Sequence, residues 1–318
     1  MIVMDNIIRS VFRSSNDKLN IVTMCKNDEK YISLLSRTNH NFYLLPNHKW
    51  NSLIEDKPKN VHILTSCDRP IDFLICYNRA EQYEEAQIIA RKMHVPIILV
   101  DMCGKELIRP QNLLEYINAK NPALLNKQPC LQIVCTDSIR ESWNKDCASI
   151  TIPIGIDIEK YQDSQKDHEL FVCIDNNTHS NVGARLSSHI PKEYTTIPTD
   201  HDQRHQVNNI NKSRYFINTY KSITVKVLEA MAAGTIVLCL KNTDTESFIN
   251  HNEDGMLFKS LTDLTEQLQY LDQQPNKRAK IIQAARARIV REHCLDSFIS
   301  KWHTAFKNLE SVFYTPDM

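Results

Sequence analysis

The feature that most limits what this chain can fold into is an alternation along its length. Short runs dense in Ile, Val, Leu and Phe are separated by longer segments whose apolar residues recur at helical spacing. Continuous apolar runs of that kind suit strands buried on both faces, and both faces are covered when helices cross over between parallel strands. In the first half the runs are LNIVTM (19–24), NFYLLP (41–46), VHILT (61–65), DFLICY (72–77), VPIILVD (95–101) and LQIVCTD (131–137). Between DFLICY and VPIILVD, the segment EQYEEAQIIARKM places Tyr83, Ala86, Ile89 and Ala90 on one helical face. A second set follows SITIPIGIDIEKY: LFVCID (170–175), YTTIPT (194–199), RYFINT (214–219), TIVLCL (235–240) and GMLF (255–258). Three helix-like stretches close the chain. The pattern predicts an α/β protein of two Rossmann-like, doubly wound parallel-sheet domains, and 318 residues are long for one such domain.

Composition narrows the function classes. Thirty-eight basic residues balance thirty-eight acidic ones, so no global field draws the chain to nucleic acid or to an anionic membrane. Its longest clearly apolar run, Val95–Val100, falls far short of the ~20 residues a membrane helix needs. The opening MIVMDNIIRSVFRSS lacks the apolar core and cleavage site of a signal peptide. Of ten cysteines, Cys76, Cys135, Cys173 and Cys239 sit inside strand-like runs, where a thiol acts as a small hydrophobe. No C-x-x-C pair occurs, which argues against a zinc knuckle and, with the missing signal, for a reducing cytoplasm. Richness in Asn, Ile and Lys suggests an AT-rich genome, such as that of a virus or an endosymbiont. Five glycines are far below the ~7% average, so each is expected where φ must be positive or something approaches closely. They are Gly104, Gly155, Gly183, Gly234 and Gly255.

The stretch KSITVKVLEAMAAGTIVLC (221–239) carries the chemistry. A strand ends near Thr219, and a helix entered near Ser222 or Thr224 presents unpaired N–H groups and a positive dipole end to a phosphate. Glu229 offers a carboxylate to a ribose diol, Lys226 a cation to a diphosphate, and Gly234 a left-handed cap to the helix.

This stretch, with GMLF (255–258), resembles the donor-binding region of the retaining family-4 glycosyltransferases of the GT-B fold. The resemblance implies a C-terminal helix returning to the first domain, and a nucleotide diphosphate sugar as donor substrate. It implies no metal and no other cofactor. Glu229 matches the second glutamate of the family's E-x7-E motif, which binds the ribose. The first glutamate falls at Lys221, a departure that points to a donor sugar with a negative group or to a rearranged loop. Ser222, Ile223 and Thr224 complete the donor loop. PIGID (153–157) resembles the element that opens the second domain, with Gly155 allowing a tight turn between domains. The expected division is 1–152 for an acceptor-side domain, 153–292 for a donor domain and 293–318 for a closing helix, in which Phe298, Ile299, Trp302 and Phe306 form an apolar stripe. After LFVCID the chain reads DNNTHSNVGAR, so Gly183 and Arg185 stand in for the family's diphosphate clasp in altered order. In the first domain, Asn78 or Arg79 occupies the position where relatives carry a histidine near the reacting sugar.

Two other patterns have plainer readings. His201 and His205 in HDQRH are spaced like a helical zinc pair, but a third ligand cannot be identified. KRAKIIQAARARIVR (277–291) carries six cations, read as the solvated side of a helix whose apolar face holds Ile281, Ile282, Ala285 and Ile289. The expectation is sugar transfer to an unidentified acceptor with retention of configuration, in which Lys226, Arg185 and Asn78 serve the chemistry. The alternative is a degenerate pair of domains that binds a nucleotide or sugar without transferring it, as a partner or regulatory subunit. The substitution at Lys221 and the altered phosphate loop favour that alternative.

Overall fold

A computed structural model of the chain describes residues 17–24, 29–65, 70–77, 80–101, 130–142, 149–161, 171–175, 185–199, 202–220 and 223–314. The chain divides into two compact units, Met1–Pro153 with Phe298–Met318, and Ile154–Ser297.

The first unit is built on seven parallel strands: β1 (Asn20–Thr23), β2 (Asn41–Leu44), β3 (Val61–Ile63), β4 (Phe73–Tyr77), β5 (Ile97–Asp101), β6 (Cys130–Val134) and β7 (Ser149–Thr151). Their order is β3-β2-β1-β4-β5-β6-β7, so winding reverses between β1 and β4. Strands β4 and β5 are buried at every position, the signature of a sheet covered on both faces. Helices α1 (Glu29–Ser36), α2 (Ala80–Met93) and α3 (Asp137–Ser142) join the strands. On α2, Tyr83, Ala86 and Ala90 are buried in a cluster with Val22, Leu74, Cys76 and Leu99, and Ile89 packs partly buried against it. Strand β7 was not among the runs read from the sequence. It is three half-buried residues at the sheet edge, too short for the apolar pattern to declare.

The second unit has five parallel strands: β8 (Phe171–Asp175), β9 (Thr195–Pro198), β10 (Tyr215–Asn218), β11 (Ile236–Leu240) and β12 (Met256–Phe258). Read from β9 the order is β9-β8-β10-β11-β12, so winding reverses between β8 and β10. Among the described residues its helices are α4 (Gln203–Lys212), α5 (Val225–Ala232), α6 (Thr243–Phe248), α7 (Leu261–Asp272) and α8 (Pro275–Glu292). Val172, Ile217, Leu238 and Phe258 from the sheet bury against Leu264, Leu268 and Ile281 from α7 and α8. The final helix, α9 (Leu295–Tyr314), belongs to the first unit from Phe298 onward. There Phe306 stacks on Phe73 at 5.7 Å between ring centroids, and Phe298 meets Tyr31 edge-on at 6.2 Å.

Two expectations change. Gly155 is buried, but among the described residues Gly234 is the glycine with positive φ, so the segment after Pro153 is not a left-handed turn. Instead Ile156 donates its amide to the His293 carbonyl at 2.7 Å, and His293 Nδ1 lies 2.9 Å from the Ile154 carbonyl oxygen. Nor are the cations of α8 simply solvated. Arg286 donates to the Ala232 carbonyl at the end of α5, and Arg278 donates to the carbonyls of Leu271 and Asp272 at the end of α7 (2.8 and 2.9 Å). Both place a cation at the negative end of a helix dipole. Arg288 lies over the Phe248 ring and pairs with buried Asp254 at 3.0 Å.

The strand cysteines are core residues: Cys76, Cys173 and Cys239 are fully buried and Cys135 is nearly so. No described helix is long and apolar enough to cross a membrane.

Candidate functional site

Ligands of open parallel sheets sit outside the carboxyl ends of the strands where the winding reverses. In the second unit that point lies between Asp175, which ends β8, and Asn218, which ends β10, and the two residues are in register across the sheet. Asn218 is fully buried, and its side-chain oxygen accepts the Tyr220 amide at 3.2 Å, turning the chain out of the strand. Helix α5 then begins, with Thr224 as its N-cap residue in extended conformation.

Asp175 gathers the neighbouring groups. It is 3% exposed. Its Oδ1 accepts from Lys226 Nζ at 3.1 Å and from Thr199 Oγ1, just past β9, also at 3.1 Å. Its Oδ2 accepts from Thr224 Oγ1 at 3.1 Å. Because the Thr224 hydroxyl is turned to Asp175, it makes no capping bond to the amides of its own helix. The start of α5 therefore keeps the donor character that suits an anion. Below the cluster, burial pushes the Cys173 thiol up to about 12, with the Asp175 carboxylate adding to the effect. The Cys239 thiol is likewise raised to about 12 by burial, against a hydrogen bond from Asn218.

At its other end α5 closes in a Schellman motif. Gly234 has φ 71°, its amide donates to the Met231 carbonyl at 3.2 Å, and the Thr235 amide reaches back to the Ala230 carbonyl at 2.9 Å. The Thr235 hydroxyl, shared between the carbonyls of Ile210 and Ser213, ties this cap to the end of α4.

The residues singled out from sequence separate into groups. Lys226 stands at the edge of the cluster with a side chain 29% exposed, already paired to Asp175. Glu229 is 1% exposed, in the buried interior of α5, whereas Lys226 is on the open side, so the two do not share an exposed face. Thr224 is in the cluster, and Ile223 is half-buried beside it. Arg185 is exposed at the start of a 3-10 turn (Leu186–Ser188), and no ion pair or hydrogen bond among the described residues joins its side chain to Asp175 or Lys226. Asn78, Arg79, Gly183, Lys221, Ser222 and His201 lie outside the described residues. Among the described residues no group of three or more His, Cys, Asp or Glu is placed to hold a metal ion.

Asp175 and Thr199 were missed by sequence reasoning. The available signal was the acid closing LFVCID, at the carboxyl edge of the first strand of the second unit. A cavity of about 530 Å³ in the first unit, lined by Lys18, Arg37, Lys59 and His62 among others, lies at the opposite, amino edge of β2 and β3.

Residues 193–304, which include β10, α5 and β11, match a family model described as glycosyl transferase-like. Functionally curated proteins gave no significant match. Among solved structures, a glycosyltransferase from Rickettsia africae is 11% identical with a TM-score of 0.69, over 92% of this chain and 99% of its own. HepE from Anabaena, in complex with UDP and glucose, is 14% identical with a TM-score of 0.71, over 91% and 100%. Sucrose-phosphate synthase from Thermosynechococcus elongatus is 11% identical with a TM-score of 0.65, over 93% and 100%. With its two parallel sheets and the helix returning to the first unit, the chain has the GT-B fold.

Proposed function

We propose that the chain is a glycosyltransferase that takes a sugar from a nucleotide diphosphate sugar, with retention of configuration, and acts in the cytoplasm. The observation that carries this reading is the start of α5. There a buried carboxylate turns the N-cap hydroxyl of Thr224 away from its helix and holds Lys226 at the rim, at the point where the winding of the sheet reverses. Two further facts support it: the glycosyl transferase-like segment includes α5, and HepE, of similar fold, holds UDP and glucose. In this reading the diphosphate lies at the start of α5 with Lys226 as its cation, near Ile223, Thr224 and the segment of Lys221 and Ser222. Gly183 and Arg185 are proposed as further diphosphate residues, and Asn78 as a residue that serves the transferred sugar. Charge building on the departing diphosphate is met by the lysine and the helix amides, so no metal is required. Glu229 orients the nucleotide through its ribose. Because Glu229 is buried, the ribose must reach it by a local opening beside α5.

The test is incubation with a panel of UDP-, GDP-, ADP- and CMP-sugars, read by release or transfer of sugar and by thermal shift. Donor turnover is expected for one of them. A folded sample that no nucleoside diphosphate stabilises would sink the reading. Stabilisation without turnover against any acceptor would favour the non-transferring alternative suggested by Lys221. Nucleotide binding unchanged by Glu229→Ala would remove that residue from the site.

A further inference from the structure

At the start of α5 the described cation, Lys226, is already paired with a carboxylate. Asp175 has given up nearly all contact with water, and its partners among the described residues are Thr199, Thr224 and Lys226. A carboxylate so buried must be compensated, and two hydroxyls alone do not match the hydration it has lost. The ammonium of Lys226 supplies the balancing charge. The two members of the pair are unequally placed: the lysine side chain is 29% exposed and the carboxylate 4%. Only the lysine, on a flexible four-carbon stem, can turn toward an arriving ligand while the carboxylate stays fixed by its two hydroxyl donors.

We propose that Asp175 is a specificity-determining counterweight at the donor site, setting how much negative charge a ligand must bring to win Lys226. The proposal rests on the reading of the start of α5 as the diphosphate site. An anion entering there competes with Asp175 for the ammonium, and it meets the repulsion of the carboxylate as well. A diphosphate, with more charge and more acceptor oxygens, overcomes both. A monophosphate gains the helix amides but not the lysine. The same competition keeps the nucleoside diphosphate product from binding too tightly, because Asp175 takes Lys226 back as the product leaves.

The test uses isothermal calorimetry with UDP, GDP and inorganic pyrophosphate, against UMP, GMP and inorganic phosphate. Asp175→Asn keeps the shape of the side chain and an acceptor for one of the two hydroxyls, offers its amide N–H to the other, and removes the counter-charge. It is expected to bind the preferred diphosphate about tenfold more tightly and to narrow the ratio of diphosphate to monophosphate affinity. In a Lys226→Met background the Asp175→Asn gain is expected to shrink to less than half, since the contest for the ammonium no longer exists. Asp175→Ser, which leaves a small hydroxyl in the cluster, is expected to shift affinity the same way and replaces Asn if that variant melts early. If Lys226→Met weakens diphosphate binding while both Asp175 variants leave it unchanged or weaker, the counterweight is overturned and the donor reading stands. If the wild-type protein binds none of the diphosphates, both fail together.

Discussion

Gly234 and Gly255 are kept for different reasons, and substitutions should tell them apart. Gly234 has φ 71°, a conformation that costs an L-residue about 1–2 kcal/mol but that Asn tolerates better than Ala. Gly255 has no positive φ, but a Cβ there would lie 2.8 Å from Val237 Cγ2 and 3.0 Å from Ile249 Cγ2, both on buried residues. We therefore expect Gly234→Ala to lower stability by about 1–2 kcal/mol, with Asn at that position recovering part of the loss. Gly255→Ala should cost about 1–3 kcal/mol by overpacking, and Asn should be worse than Ala, because there the obstacle is space. Urea denaturation of the four variants checks both. Equal behaviour of Asn at the two positions would refute the distinction.

At the scale of elements, α8 and α9 hold their units by opposite means. Arg288 on α8 donates to the Phe248 carbonyl and pairs with Asp254, whose own oxygens accept from the Asn250 amide and side chain at 2.8 Å each. Removing the cation leaves Asp254 buried and uncompensated, so Arg288→Ala is expected to cost about 3–5 kcal/mol. The double variant with Asp254→Asn should recover much of that loss in thermal melts. Helix α9 acts through packing instead. Trp302 is fully buried between Phe298 and Phe306, so Trp302→Ala is expected to cost about 3–5 kcal/mol, seen as a lower melting transition of the first unit. Both helices also show what a single sequence reveals. The apolar stripe of α9 and the strand runs were legible because burial on both faces of a sheet, or on one face of a helix, leaves a repeating pattern. The work of Arg278, Arg286 and Arg288 was not, because a cation that caps another helix looks in sequence like one in water. Asp175 escaped notice for the same reason: an acid at the end of a strand acquires meaning only when Thr199, Thr224 and Lys226 are brought to it from 24, 49 and 51 residues away.

For the molecule as a whole, the second unit carries a distinct response to alkali. The thiols of Cys173 and Cys239 are pushed from 9.0 to about 12, in both cases chiefly by burial. Tyr194 and Tyr215 are raised above their ordinary value of 10.0, first by burial and then by Asp272, whose carboxylate accepts a hydrogen bond from each hydroxyl. All four groups keep their protons in the folded unit at a pH where the unfolded chain has lost them. The unfolded state then binds fewer protons, so stability falls as pH rises. This contribution is complete below about pH 9 and declines above it, by at most about 1.4 kcal/mol per group for each pH unit. In a spectrophotometric titration, Tyr194 and Tyr215 should be missing from the reversible tyrosine phase near pH 10 and should ionise only as the second unit unfolds. Tyr215→Phe should remove one tyrosine from that late step and none from the early one. Alkylation should follow the same order, sparing Cys173 and Cys239 at pH 8 until denaturant is added. A tyrosine titration in which both ionise reversibly near pH 10 with the fold intact would show that Asp272 and the core do not hold those protons.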